Sequence, residues 1–319
     1  IILAILFLAL GLLVARLALP WVVNNLPGSV SARLPEAILA AVHTPLPTAL
    51  PAPVQTRSGL LPAIAIPTLE TASPTPSPTR SPATRPVTPS GDPTATLEPT
   101  PTLLPSPTAT RRPPPAQAQI ENIDIVAQKF NNCGPANLSI VLNYLGEPAD
   151  QLDIGEVVKP DYDDRNVSPH ELVAYVRDHT ELEAQVFAGG DLIMLQRLIA
   201  ADLPVIIEKG LAPSEYQGWM GHYLTLVGYD RPDELFLALD TFLGPWDGSH
   251  RPEDFDFIRE YWQHFNNTFI VVYPLDAAET VAGILGPEML APAQMWQRAA
   301  LQAQADIELD PQNAFAWFN

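Results

Sequence analysis

The chain holds one cysteine in 319 residues, so no disulfide can close within it. Basic residues are also scarce: 17 Lys and Arg stand against 36 Asp and Glu, a formal net charge of −19. Phosphate backbones are bound by clustered Lys and Arg, so nucleic acid is excluded as a partner. There is no H-E-x-x-H, no cysteine pair and no His/Asp group at ligand spacing, which removes the usual metal sites. A G-x-x-x-x-G-K-[ST] loop is missing too, which removes a P-loop ATPase. No metal and no cofactor are expected. What the chain has in excess is proline, 36 residues in all, crowded between Pro45 and Pro115.

That crowding divides the chain. Residues 1–23 are almost wholly apolar, with Arg16 the only charge, and match the ~20 residues a helix needs to cross a bilayer. They read as a transmembrane signal anchor, against a signal-peptide core or a buried helix. Residues 24–115 then read as a Pro/Thr/Ser-rich disordered stalk, too poor in apolar surface to offset chain entropy. Together they predict a single-pass cell-membrane protein with its folded domain on the extracellular side.

Residues 116–275 read as a compact α+β domain. Ser168-Pro169-His170-Glu171 is a capping box with proline in the first turn. Asp191 caps a further helix, and strands are predicted at 204–208, 222–229, 235–240 and 268–273, with a helix within 253–264. Residues 276–319 read as a linker helix and the start of tetratricopeptide repeats. Small residues recur at Ala299 and Ala303, and Trp317 opens a next unit. The chain starts Ile-Ile and stops within that repeat, so a fragment of a longer protein is expected, with a possible protein partner on the repeats.

Cys133 lies in Gln128-Lys129-Phe130-Asn131-Asn132-Cys133-Gly134-Pro135-Ala136-Asn137. Pro135 suits the first turn of a helix. Leu138, Val141, Leu142 and Leu145 then recur at i, i+3, i+4 and i+7, one apolar helix face. A thiol at a helix N-terminus meets unpaired N–H groups and the positive end of the dipole, which favour its thiolate. The alternative is a small buried hydrophobe.

Downstream, His222 opens a strand and Asp240 closes the next one, across a turn at 230–234. In an antiparallel hairpin those two ends are neighbours within a residue or two. A carboxylate beside an imidazole fixes its tautomer and stabilises the imidazolium. Gln128, just before the cysteine, offers a side-chain amide to a developing oxyanion, alongside the Cys133 backbone N–H. The loop 210–221, with Tyr216, Trp219 and Met220, is either a substrate-contacting edge or an aromatic cover over the core.

These segments resemble the papain-like cysteine peptidases, and within them family thirty-nine, the bacterial bacteriocin-processing or double-glycine-leader peptidases. The resemblance is carried by Gln128–Asn137, by Gly221-His222-Tyr223-Leu224-Thr225-Leu226-Val227-Gly228-Tyr229-Asp230, by Leu239-Asp240 with Gly244-Pro245, and by a terminal strand ending at Pro274. It implies a papain-like fold and hydrolysis of peptide bonds in a peptide or protein substrate. It further implies Cys133 as nucleophile, His222 as acid/base, Asp240 as orienter and Gln128 as oxyanion donor. An alternative of another class is a catalytically silent peptide-binding or scaffolding module that uses the same groove with the helical repeats.

Overall fold

Val205, Ile206 and Ile207 follow one another and are all fully buried. A strand reads that way only when both faces of its sheet are covered. The computed structural model describes residues 18–23, scattered positions from 26 to 42, and residues 113–161, 166–213 and 218–319. In it these residues open β3 (Val205–Leu211), which lies inside a sheet together with β1 (Gln117–Gln119), β2 (Glu183–Phe187), β4 (Met220–Asp230), β5 (Leu235–Leu239), β6 (Arg251–Asp254) and β7 (Phe269–Tyr273). The strand order is β2-β7-β3-β4-β5-β6, and every pairing is antiparallel. β4 outruns β3, and β1 pairs with the last residues of β4, Gly228 to Asp230.

The period of two sends neighbouring side chains to two cores. Val205, Ile207, Leu224, Leu226, Phe269 and Val271 belong to one, and Ile206, Tyr223, Ile270 and Val272 to the other. The second core is closed by α1 (Cys133–Tyr144), α2 (Gln151–Val158) and α3 (Pro169–His179). The first is closed by α4 (Leu192–Ile199) and α5 (Phe255–Trp262). The α+β class expected from the sequence is therefore the observed one.

Local signals set most helix starts. Ser168 accepts from the Glu171 N–H while the Glu171 carboxylate accepts from the Ser168 N–H, completing the capping box at α3. Asp191 accepts from the Met194 N–H at the start of α4. α1 departs from the one-faced helix that its spacing suggested: every residue from Gly134 to Leu142 is buried. It is enclosed by β4 on one side and by α2 and α3 on others. Only glycine fits at 134, where an added Cβ would lie 2.4 Å from Val167 Cγ1.

Beyond Tyr273 come α6 (Ala278–Leu285), α7 (Pro287–Leu290), α8 (Pro292–Leu309) and α9 (Ala314–Phe318). Val281, Leu285, Met289 and Met295 enter the same core as α4. Ala299 is buried against Gly189, whose φ is +69° and where an added Cβ would come 2.8 Å from the Ala299 Cα. Arg298 locks this contact, with Nε donating to the Gly189 carbonyl at 2.9 Å and Nη2 to Asp191 Oδ2 at 2.8 Å. The small residues that suggested a repeat thus serve, at 299, a contact with the sheet domain.

The single-pass membrane localisation is corrected. Among the described residues no helix is long and apolar enough to cross a membrane. Of the apolar stretch 1–23 only residues 18–23 are described. They are helical. The rest of that stretch, and the stalk between residues 43 and 112, lie outside the described residues.

Candidate active site

The segment that carries Cys133 is pinned from behind. Gln151, in the first turn of α2, accepts from the Lys129 N–H at 2.7 Å and donates to the Ala127 carbonyl at 2.9 Å. Asn132 gives its side-chain amide to the Gln151 carbonyl at 2.7 Å rather than capping α1. Lys159 Nζ holds the Asn131 carbonyl at 2.6 Å. A loop tied at Ala127, Lys129, Asn131 and Asn132 delivers Cys133 to the first position of α1, where its N–H has no partner inside the helix.

His222, near the start of β4, is 3% exposed, and Asp240, one residue past β5, is fully buried. His222 Nε2 lies 3.1 Å from Asp240 Oδ1. A carboxylate only accepts, so Nε2 carries the proton and Nδ1 is left for the Cys133 thiol, with which the ring is also hydrogen-bonded. The same Asp240 oxygen accepts from the Phe242 N–H at 2.9 Å and the Leu243 N–H at 2.8 Å. Phe242 sets its ring edge-on to the imidazole, centroids 6.1 Å apart.

Electrostatics follow from this burial. Desolvation alone would push the Cys133 thiol up, but the hydrogen bond and charge of His222, with backbone hydrogen bonds from Tyr223 and Gly134, hold it below its ordinary value. Burial would lower His222, yet Asp240 first and Cys133 second raise it to about 9. Burial would raise Asp240, and His222, the Leu243 N–H and Lys209 bring it down to about 2. The directions of these shifts favour a thiolate beside an imidazolium beside a carboxylate, an arrangement suited to nucleophilic catalysis.

Gln128 stands on the other flank. Its N–H donates to the Thr241 carbonyl at 2.9 Å, and its Oε1 accepts from the Thr241 hydroxyl at 2.9 Å. All four residues singled out in the sequence therefore meet, directly or through one neighbour. Residue 216 lies outside the described residues. Trp219 donates to His264 Nδ1 at 3.1 Å and stacks on Phe265, centroids 5.8 Å apart. Gly210, Met220 and Gly221 are strand residues, so the expected loop is shorter than the sequence suggested.

Sequence reasoning missed Lys209. It is fully buried, directly across the β3–β4 ladder from His222, with Nζ 4.8 Å from the centre of the Phe257 ring. Burial lowers its pKa, while Asp240 and Glu253 oppose that. The flanking run Val-Ile-Ile-Glu-Lys-Gly-Leu shows no sign of an inward lysine. Asn137 was missed for a different reason: inside an apolar helix pattern an amide reads as filler.

Residues 115–270 match the Peptidase_C39 like family. The comparison with curated proteins finds no match. Solved structures similar to the chain include a protein from Bacillus anthracis described as a C39-like peptidase, at 16% identity and a TM-score of 0.39, covering 49% of this chain and 96% of that one. The peptidase domain of Streptococcus ComA, a bifunctional ABC transporter of a quorum-sensing pathway, has 16% identity and a TM-score of 0.37, covering 48% and 98%. Xylellain, a cysteine protease from Xylella fastidiosa, has 10% identity and a TM-score of 0.40, covering 51% and 87%. Residues 115–270, just under half of the chain, are thus similar to the C39-like peptidases, and that match supports a cysteine-type peptidase.

Proposed function

We propose that the protein cleaves peptide bonds through a Cys133–His222–Asp240 triad with Gln128 as oxyanion donor. The observation that carries this reading is the buried imidazole, held through Nε2 by Asp240 and interacting with the Cys133 thiol.

The chemistry follows from the protonation states. The Cys133 thiolate attacks the scissile carbonyl carbon, a C–S bond forms, and the carbonyl π pair moves to oxygen. Gln128 Nε2 and the Cys133 backbone N–H donate to that oxyanion, each such donor being worth about 10²–10³ in rate. As the tetrahedral species collapses, the C–N bond breaks and His222 Nδ1 gives its proton to the departing amine. His222, now neutral, takes a proton from water, whose hydroxide adds to the thioester. Collapse of the second tetrahedral species expels Cys133 as thiolate beside a recharged imidazolium. Asp240 keeps one tautomer throughout.

In this reading 116–275 is the catalytic unit, 24–115 a tether, and 276–319 begins a tetratricopeptide-like array that recruits a protein partner. Support for the last is that Ala303 and Ala316 are buried while Trp317 and Phe318 are exposed. The test is to incubate the full chain and its Cys133→Ala variant with a mixed-sequence peptide library and sequence the products by mass spectrometry. New termini made by the wild type and lost in Cys133→Ala support the reading. Equal product patterns from both proteins overturn it.

A further inference from the structure

Asn137 is fully buried one turn into α1 from Cys133. Its Nδ2 lies 2.9 Å from the Cys133 carbonyl, 2.9 Å from the Tyr223 carbonyl and 3.2 Å from Thr241 Oγ1. Its Oδ1 accepts from the Thr225 hydroxyl at 2.7 Å. One amide therefore bonds the backbone of the nucleophile's residue, the residue after His222 and the residue after Asp240. Asn137, Thr225 and Thr241 are each no more than 1% exposed.

The polarity of this network is determined, not optional. Backbone carbonyls only accept, so the group facing Cys133 and Tyr223 must be the amide nitrogen. That nitrogen can only donate to Thr241 Oγ1, which forces the Thr241 hydroxyl proton to point elsewhere. Its one acceptor among the described residues is Gln128 Oε1, at 2.9 Å. A Gln128 amide turned the other way would leave the Thr241 hydroxyl proton without an acceptor in a buried site, at a cost. With Oε1 held by Thr241, the Gln128 Nε2 is the half of the amide left to face substrate.

We infer that Asn137 and Thr241 are positioning residues that fix the orientation of the Gln128 amide, so that the oxyanion site is formed before substrate arrives. This rests on the reading of Gln128 as an oxyanion donor. The inference concerns orientation: neither residue touches the reacting carbonyl. Preorganisation is where such a donor's value lies, because a donor that must turn during the reaction loses part of its effect.

Two reactions of the same thiol separate this role from a structural one. p-Nitrophenyl acetate acylates Cys133 through a tetrahedral oxyanion, forming a thioester and releasing p-nitrophenolate. Iodoacetamide alkylates it by direct displacement of iodide, with no oxyanion. Both rates are to be measured on the full chain, with Cys133→Ala as the blank. Thr241→Val keeps the side-chain shape and leaves Asn137 its two carbonyls. It is expected to slow acylation about tenfold, part of what losing the donor outright would cost. Alkylation should stay within about twofold, and Thr241→Ser should restore acylation. Gln128→Ala should slow acylation at least as much, and the double variant no further. A Thr241→Val protein that acylates like wild type, while Gln128→Ala is slow, overturns the inference and leaves the Gln128 reading standing. Parallel losses in acylation and alkylation overturn it as well, since they show a general effect on the thiol. A Gln128→Ala protein that acylates normally overturns the donor reading itself and the inference with it.

Discussion

Asp240→Asn isolates one charge inside a filled site. The carboxylate is fully buried and its Oδ1 serves His222, Phe242 and Leu243 together. Asparagine keeps the size and can still accept from the two backbone N–H groups, but it removes the anion. In the wild type, burial favours neutral His222, and Asp240 with Cys133 overcomes this to carry the pKa from 6.5 to about 9. A rise of that size favours the imidazolium by roughly 3 kcal/mol. The sign is that of a raised basic group: the imidazolium is intact below 6.5 and is lost as pH rises through about 9. With Asp240 gone the cost of burial remains and its main offset does not, so the ring turns neutral at lower pH. The Cys133 thiol then loses the charge that held it down. Near pH 6 the population of the ion pair should fall on the order of a hundredfold. Iodoacetamide alkylation of the single cysteine, followed over a pH series, reads that population directly. The variant should be slow in mild acid and approach the wild-type rate only where an ordinary thiol ionises. Alkylation within about twofold of wild type near pH 6 would refute the reasoning. Unchanged circular dichroism must accompany a valid comparison.

The same upper limit should appear in peptide cleavage, where kcat/KM falls as pH passes about 9 because the leaving amine loses its proton donor; a rate still rising above that point speaks against His222 as the acid. Gly134→Ala places a Cβ 2.4 Å from Val167 Cγ1 and 3.3 Å from the Tyr223 ring. Urea unfolding should show a loss of about 1–3 kcal/mol, and an unchanged midpoint would mean that α1 can shift freely. Ser168→Ala removes one half of the capping box. It should cost about 1 kcal/mol and leave the alkylation rate of Cys133 untouched, and a fall in that rate would tie α3 to the site in a way the packing does not show.

What the sequence made legible was local or hairpin-bound. Pro135 and the spacing of Leu138, Val141 and Leu142 announce α1 and the place of Cys133 at its start, while Ser168 and Asp191 announce two further helix starts. The meeting of His222 and Asp240 was legible because a hairpin makes strand ends meet. Even so the register carries a bulge: Thr225 pairs with Leu239, but Gly228 pairs with Leu237, with a shift between Leu226 and Gly228. One extra residue in β4 carries Asp240 from a place opposite Thr225 to one opposite Leu224, diagonal to His222 and on its face, which no hydrophobic pattern reveals. The short strands β1, β2 and β6 were missed because three to five residues hold too little alternation to stand out. Thr241 and Gln151 were missed because their value comes from partners 19 to 113 residues away, and composition cannot rank such pairings. The membrane localisation inferred from residues 1–23 rested on hydropathy alone, and no helix among the described residues is long and apolar enough to cross a membrane.

The central claim is that Cys133 and His222 hold each other as thiolate and imidazolium. With one cysteine in the chain, the ultraviolet absorbance of the thiolate titrates that residue alone. The wild type should show its thiolate appearing below the ordinary value of 9.0, because His222 overcomes burial. His222→Gln should leave burial without its counterweight and move the transition above 9.0. A wild-type transition at or above that value, unchanged in His222→Gln, would contradict the account.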